Sequence, residues 1–154
     1  MKIAYEEPLN LEARSKMLVA SSMGATAFQK GLGSVHALAH PLGAVYDAHH
    51  GLLNAVLLPY VVKANQTAID DRVNYLCSVF QLRGSGFSVF LDALLEWREA
   101  LAIPHSLNEI GITSENLELI ATSALSDPCN MGNPVRFDKQ QYMNVLRDAI
   151  EGVL

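Results

Sequence analysis

Four of the five histidines lie in one apolar segment, residues 32–65. His36 and His40 are four residues apart, so on a helix they lie on one face, about one turn from each other. His49 and His50 follow at a glycine-containing bend and precede a strongly apolar stretch. Because imidazole is the commonest protein ligand for a transition metal, this clustering predicts a metal site.

The elements that must position these histidines are predicted to be helices. Asn10 is placed to cap a helix over residues 10–30. Ser34 is placed to cap the first histidine-bearing helix, which Pro41 and Gly43 would kink or end near its middle. Apolar residues recur at helical spacing in five further segments: 50–64, 70–82, 85–102, 114–126 and 138–152, the last beginning with the capping-box residues Asp138 and Gln141. No period-two alternation marks a strand, so we predict an all-α fold, a single helical-bundle domain over residues 1–154.

Two strings within the histidine-rich segment carry a family resemblance. They read Gly33-x-x-His36-x-x-x-His40-Pro-Leu-Gly43 and His50-Gly51-x-x-Asn54-Ala-Val-x-Leu-Pro59. The flanks match as well, with residues 11–28 before the strings and the run Asp127-Pro-Cys-x-x-x-Asn-Pro134 after them. Over residues 9–154 the chain resembles the C-terminal helical domain of the iron-containing (group III) alcohol dehydrogenases, a dehydroquinate synthase-like fold.

The resemblance implies a metal site and a redox function. Members of that family have an N-terminal α/β domain that binds NAD or NADP. Their C-terminal helical domain carries a divalent metal, usually iron or zinc, on one Asp and three His. Carried over by motif, His36 and His50 match the last two histidine ligands. His40 matches a histidine beside the metal that positions the alcohol or relays its proton; the alternative is a partly buried polar group without that role.

Two parts of the family pattern have no counterpart in this sequence. One is the upstream Asp-x-x-x-His helix that supplies the other two ligands. The other is the cofactor domain: Gly31-Leu-Gly33 and Gly84-Ser-Gly86 lie between helical stretches, without the strand that precedes a dinucleotide-binding turn. Two imidazoles leave a divalent ion short of four protein ligands, so we expect low metal occupancy, with Zn²⁺ or Ni²⁺ held better than Fe²⁺.

The expected function is therefore the metal-bearing helical half of an alcohol/aldehyde oxidoreductase that uses NAD(P), inactive as this lone chain. Two alternatives stay open. Another chain that supplies the missing ligands and the cofactor domain could complete the enzyme in trans. A third interpretation is a stand-alone helical module for dimerisation or partner binding, whose histidines are relics of a metal site.

Five residues outside the predicted ligand set have simpler interpretations. Asp47 is expected to be a turn residue, although its carboxylate lies near the histidines in sequence. His49 stands where the family usually has proline and could compete for the ion. His105 is expected in an exposed loop, Cys129 as a buried thiol rather than a nucleophile, and Asn133 with the following proline as a loop-shaping pair.

Composition narrows the partners. The chain is 50% hydrophobic and 18% charged, against a typical charged share of roughly 25%, which predicts an exposed apolar face covered by self-association or by a cofactor-domain chain. A net charge of −5 argues against nucleic-acid binding. The apolar runs fall short of the ~20 residues of a membrane span, and no signal peptide is evident, so we expect a cytoplasmic protein.

Overall fold

A computed structural model describes all 154 residues, as eight α-helices and four short 3-10 helices with no strand. The α-helices are α1 (Lys2–Glu6), α2 (Leu11–Ala27), α3 (Ser34–Tyr46), α4 (His50–Ala64), α5 (Gln66–Val79), α6 (Phe87–Ala100), α7 (Leu117–Ser126) and α8 (Lys139–Glu151). The 3-10 helices are Phe28–Lys30, Asn108–Ile110, Ser114–Asn116 and Pro128–Gly132. The predicted all-α fold class is confirmed.

The chain forms two compact units, residues 1–32 and 33–154. The first contains α1, α2 and the 3-10 turn after them. Asn10 caps α2 as predicted, because its side-chain oxygen accepts a hydrogen bond from the Ala13 amide at 3.0 Å. None of the residues of α2 is buried, although the helix carries several large apolar side chains.

The second unit holds the hydrophobic core. Its main cluster joins α3, α4, α7 and α8, and a smaller cluster joins α5 and α6. The largest fully buried side chains include Tyr142, Phe137, Leu38, Leu42, Leu53, Leu57 and Leu146. Burial of this kind contributes about 1.5–3 kcal/mol per large apolar side chain. The core therefore fixes α3 against α4, which are the two helices that carry the histidines.

Helix α3 begins and continues differently from the sequence prediction. Ser34 is its first residue rather than its cap, and the Ser34 hydroxyl is hydrogen-bonded to the Tyr142 hydroxyl at 3.0 Å inside the protein. The side-chain oxygen of Asn133 instead accepts a hydrogen bond from the Ser34 amide at 3.1 Å. The helix does not end at Pro41 but runs on to Tyr46, and Leu38, Ala39 and Leu42 around the proline are buried in the core.

The other helix ends follow the predictions to within a few residues. Asp138 and Gln141 form the predicted capping box at the start of α8. Helix α5 begins earlier than predicted, at Gln66, because Asn65 alone separates it from α4. The histidine-bearing part of the chain therefore consists of two adjacent, core-anchored helices joined by a short turn.

Candidate metal centre

The fold brings three of the predicted site residues together. His36 and His40 lie on α3, and His50 is the first residue of α4. The imidazole centroids are 5.3 Å apart for His36 and His50, 5.5 Å for His40 and His50, and 6.0 Å for His36 and His40. Asp47 reverses the chain between the helices with a left-handed backbone (φ 50°), as expected of a turn residue.

Asn54, one turn into α4, joins the two predicted ligands. Its amide nitrogen lies 3.0 Å from Nε2 of His50 and 3.3 Å from Nε2 of His36. An amide NH₂ group has two hydrogens and can donate one to each ring. Both Nε2 atoms then act as acceptors, so their lone pairs are directed at one point in space.

The donor set fits two corners of the metal site that the resemblance implies. Two imidazole nitrogens that meet at one point match two histidine ligands of such a site. The oxygen of the same amide, Oδ1, is buried and has no hydrogen-bond partner. An unpaired buried carbonyl costs about 1–3 kcal/mol. The Asn54 amide thus meets both imidazoles while its own oxygen stays unsatisfied.

Burial and neighbouring rings keep His36, the first predicted ligand, neutral. Burial, then the neighbouring His50 and His40, lower the pKa of His36 below its usual 6.5, and Asp127 offsets this only in part. A lowered pKa leaves the imidazole neutral at neutral pH. Nε2 of His36 is therefore available as an electron-pair donor rather than as a cation.

His40 is oriented by a carboxylate that sequence reasoning did not assign to the site. Its Nδ1 atom lies 2.8 Å from Oδ2 of Asp127, which caps the 3-10 segment after α7. The second oxygen, Oδ1, accepts a hydrogen bond from the Cys129 amide at 2.8 Å. Burial raises the pKa of Asp127, but these hydrogen bonds outweigh it and the net shift is downward. Asp127 is therefore a fixed anion beside the histidine.

The thiol of Cys129 belongs to the same group. One donor atom each from His40, Asp127 and Cys129 lies within 4.8 Å of the other two. Burial, and then the hydrogen bond and charge of Asp127, raise the pKa of Cys129 to about 11. The thiol is half-buried and protonated near neutral pH, which agrees with the prediction that it is not a nucleophile. The Asp-Pro-Cys run was the signal for this group, but the sequence alone did not place it beside His40.

The other two histidines have local structural contacts. Nδ1 of His49 accepts a hydrogen bond from the Leu52 amide at 3.3 Å, so this ring caps α4. His105 lies in an exposed loop as predicted, where it is hydrogen-bonded to the Arg98 guanidinium and to the Gly152 carbonyl oxygen.

The structure thus defines a helical domain with three imidazoles, an amide and a carboxylate converging at the junction of two core helices. Residues 1–150 match the family model described as Fe-containing alcohol dehydrogenase family, C-terminal. The chain is 35% identical over 151 residues to alcohol dehydrogenase 4 of Saccharomyces cerevisiae, a match that covers 96% of this chain and 40% of the yeast protein. It is 31% identical over 148 residues to the NAD-dependent methanol dehydrogenase of Bacillus methanolicus, covering 92% of this chain and 39% of that protein.

Solved structures show the same fold. A crystal structure of 1,3-propanediol oxidoreductase superposes with a TM-score of 0.92 at 30% identity, over 97% of this chain and 41% of that one. The alcohol dehydrogenase from Oenococcus oeni superposes with a TM-score of 0.90 at 34% identity, over 96% of this chain and 40% of that one.

The chain belongs to the Fe-containing alcohol dehydrogenase family and corresponds to its C-terminal helical domain. It spans about two fifths of the length of the curated relatives it matches. No helix of the structure is long and apolar enough to cross a membrane.

Proposed function

We propose that this chain is the metal-bearing half of an oxidoreductase that interconverts alcohols and aldehydes with NAD(P). In this proposal His36 and His50 hold a divalent ion, iron or zinc, through their Nε2 atoms. The observation that carries it is the convergence of both atoms on the amide nitrogen of Asn54, at 3.3 and 3.0 Å. When bound, such an ion acts as a Lewis acid toward an alcohol oxygen.

His40 has a distinct part in this proposal. With Nδ1 donating to Asp127 at 2.8 Å, the neutral ring carries its free lone pair on Nε2. That atom can accept the proton of an alcohol, and the Asp127 carboxylate then stabilises the imidazolium that forms. Asp127 is thus a positioning residue that acts through His40, and the pair would relay the substrate proton to solvent.

We further propose that these 154 residues are inactive by themselves. The described chain has no strand and therefore no sheet on which to bind a dinucleotide. It also has no counterpart of the upstream Asp-x-x-x-His run from which the resemblance draws the other two ligands. A second chain that supplies an acid, a further histidine and a nicotinamide site would complete the enzyme.

A domain exchange tests this function. This chain would replace the matching C-terminal region of alcohol dehydrogenase 4 from Saccharomyces cerevisiae, and NAD⁺ reduction by primary alcohols would be followed. We expect turnover by the chimera, its loss in chimeras with His36→Ala or His50→Ala, and none by the chain alone. Turnover by the chain alone would overturn the proposed inactivity. A folded chimera without turnover would overturn the assignment of the metal-bearing half.

The surface of α2 favours a second candidate function, that of a stand-alone self-association module. Its large apolar residues are highly exposed, for example Leu11 at 79%, Leu18 at 73% and Met23 at 69%. Several large apolar side chains exposed on one helix can mark an interaction site. In this alternative the histidine cluster has no catalytic part, and the occupant of the α2 surface is a second copy of the chain.

A further inference from the structure

A second group of metal-binding side chains lies beside the imidazole pair. It consists of His40 on α3, of Asp127, which caps the Pro128–Gly132 segment after α7, and of Cys129 within that segment. The two parts are 87 residues apart in sequence but share a hydrogen bond of 2.8 Å. The stacked rings of His40 and His50, 5.5 Å apart, place this group next to the predicted ligands without including them.

The spacing of the three donors suits a small tetrahedral cation. Zinc binds imidazole nitrogen and carboxylate oxygen at about 2.0–2.2 Å and thiolate sulfur at about 2.3 Å, so neighbouring donors lie about 3.3–3.7 Å apart. The three donor atoms here lie within 4.8 Å of one another. A contraction of about 1 Å in the widest pair, within the range of side-chain rotation, brings them to bonding distance.

The local backbone holds the carboxylate in place for this purpose. Asp127 caps its 3-10 segment through the bond from the Cys129 amide to Oδ1, which leaves Oδ2 directed at His40. Its side chain is only 14% exposed, whereas His40 is 43% exposed and reachable from solvent. The group thus combines a fixed anion with an accessible imidazole and a thiol, which is a donor set suited to Zn²⁺.

We propose that this chain by itself binds Zn²⁺ through His40, Asp127 and Cys129, and not through the pair of His36 and His50. On binding, the Cys129 thiol transfers its proton to solvent and its sulfur bonds to the ion as thiolate, while a water molecule takes the fourth position. This site supplies three protein donors from one chain, whereas the imidazole pair supplies two. It shares His40 and Asp127 with the proton relay of the proposed oxidoreductase function, but it concerns the chain without a partner.

Cobalt(II) as a spectroscopic substitute for zinc tests the assignment on the tag-free chain. We expect a near-ultraviolet thiolate-to-cobalt charge-transfer band, which a site made only of histidines cannot give. The band should be lost in Cys129→Ser and kept in Cys77→Ser, which removes the other cysteine. It should also be kept in His36→Ala. Absence of the band in the wild-type chain, or its loss in Cys77→Ser instead of Cys129→Ser, would overturn the proposal.

Competition with a chromophoric chelator measures Zn²⁺ affinity on the same proteins. Loss of an outer-shell partner typically lowers metal affinity by about tenfold or more. Loss of a direct ligand should cost at least as much, so Cys129→Ser and Asp127→Asn should each bind Zn²⁺ at least about tenfold more weakly. His36→Ala should stay within about threefold of wild type. The reverse pattern, with His36→Ala weakened and Cys129→Ser unchanged, would assign the ion to the imidazole pair and refute the proposal.

A protection experiment tests thiolate ligation without substituting Cys129, so it does not require a Cys129 variant to fold. In the Cys77→Ser chain, Zn²⁺ should slow alkylation of Cys129 by iodoacetamide, because a metal-bound thiolate is not free to attack. An unchanged rate at saturating Zn²⁺ would contradict thiolate ligation. None of these experiments measures enzymatic activity. Failure of the Zn²⁺ proposal can therefore be told apart from failure of the domain-exchange experiment.

Discussion

Asn54 occupies the point at which a cation would meet both His36 and His50. Its NH₂ group lies 3.3 and 3.0 Å from the two Nε2 atoms, while its own carbonyl oxygen is buried without a hydrogen bond. The amide thus satisfies two imidazole acceptors at the expense of one of its own atoms. A carboxylate in place of the Asn54 amide would add a third metal-binding side chain to His36 and His50.

Asn54→Asp should therefore create the carboxylate ligand that this chain lacks. The change is almost isosteric and puts an oxygen within reach of both Nε2 atoms, giving two histidines and one acid around one point. We expect Zn²⁺ to bind at least about tenfold more tightly than to wild type, about 1.4 kcal/mol. His36→Ala in the same background should cancel the gain. Equal affinities of Asn54→Asp and wild type would show that the two rings do not converge as described.

Cys129 provides a pH-dependent prediction. Because the pKa of its thiol is about 11 rather than 9.0, the thiolate fraction at pH 8 is about a hundredfold smaller than that of an unperturbed thiol. Alkylation of Cys129 in the Cys77→Ser chain should be slower by that factor without metal. Its rate should keep rising with pH between 9 and 11, where a free thiol levels off.

The same measurement on Asp127→Asn separates the causes of this shift. Removing the carboxylate deletes the hydrogen bond and charge that favour the protonated thiol, while burial stays. Alkylation near pH 8 should therefore accelerate, but remain slower than for a free small-molecule thiol. A rate for Cys129 equal to that of the free thiol, and unchanged in Asp127→Asn, would contradict the described environment.

At the scale of whole elements, two asparagine side chains hold the histidine-bearing helices to the end of the chain. Asn65, between α4 and α5, exchanges hydrogen bonds with Asn133 at 3.1 and 2.8 Å. The same oxygen of Asn65 accepts from the Val135 amide, and Asn133 also accepts from the Ser34 amide at the start of α3. One pair of amide side chains thus connects α3, α4 and the loop before α8.

Asn65→Ala should destabilise the protein markedly. Asn65 is 4% exposed, and its removal deletes the side-chain hydrogen bonds to the Val61 carbonyl, to Asn133 and to the Val135 amide. We expect a loss of about 2–4 kcal/mol in the free energy of unfolding, measured by urea denaturation followed by circular dichroism.

Asn144→Ala is the matched control, since this residue lies on the exposed face of α8. Its stability should stay within about 0.5 kcal/mol of wild type. Adding Asn133→Ala to Asn65→Ala should cost less than the sum of the single changes, because both remove the same hydrogen bonds. Full additivity, or a negligible effect of Asn65→Ala, would show that the amide pair does not connect these elements.

Sequence predicted those elements whose signals are local. The caps of α2 by Asn10 and of α8 by Asp138 with Gln141 depend on residues three positions apart, and both are confirmed. The cap of α3 was missed because its acceptor, Asn133, lies 99 residues away from Ser34. Local signals left open whether Pro41 kinks or ends α3, and the structure shows that the helix continues through it, since tertiary burial rather than local preference holds it together.

In the candidate site, too, sequence identified the residues that lie in local motifs and missed the contacts between distant residues. His36, His40 and His50 were identified because they belong to two contiguous strings, and the fold brings their rings within 6.0 Å. The contact of Asp127 with His40 spans 87 residues, and no periodicity or motif spacing encodes it. The role of Asn54 was equally invisible, because a pattern of residue types carries no information on the direction of an amide.

At the scale of the whole molecule, the exposed apolar side chains of α2 favour self-association. In the proposed self-association a second copy covers Leu18, which is 73% exposed, and its neighbours on the helix. Burying a side chain of this size stabilises a complex by about 1.5–3 kcal/mol. An acidic residue at this position would lose that contribution and place two negative charges in the interface of a dimer.

Leu18→Glu should therefore weaken self-association at least about tenfold, measured as the concentration dependence of sedimentation. Ala20→Glu is the control, because it adds the same charge to the same helix but two residues further, on the opposite side from Leu18. Its association should match wild type. Equal weakening by both variants would assign the effect to net charge, which is already −5, rather than to an apolar contact. A wild-type chain that stays monomeric at all concentrations would instead leave α2 as the surface for a chain of different sequence, such as one that brings the cofactor domain.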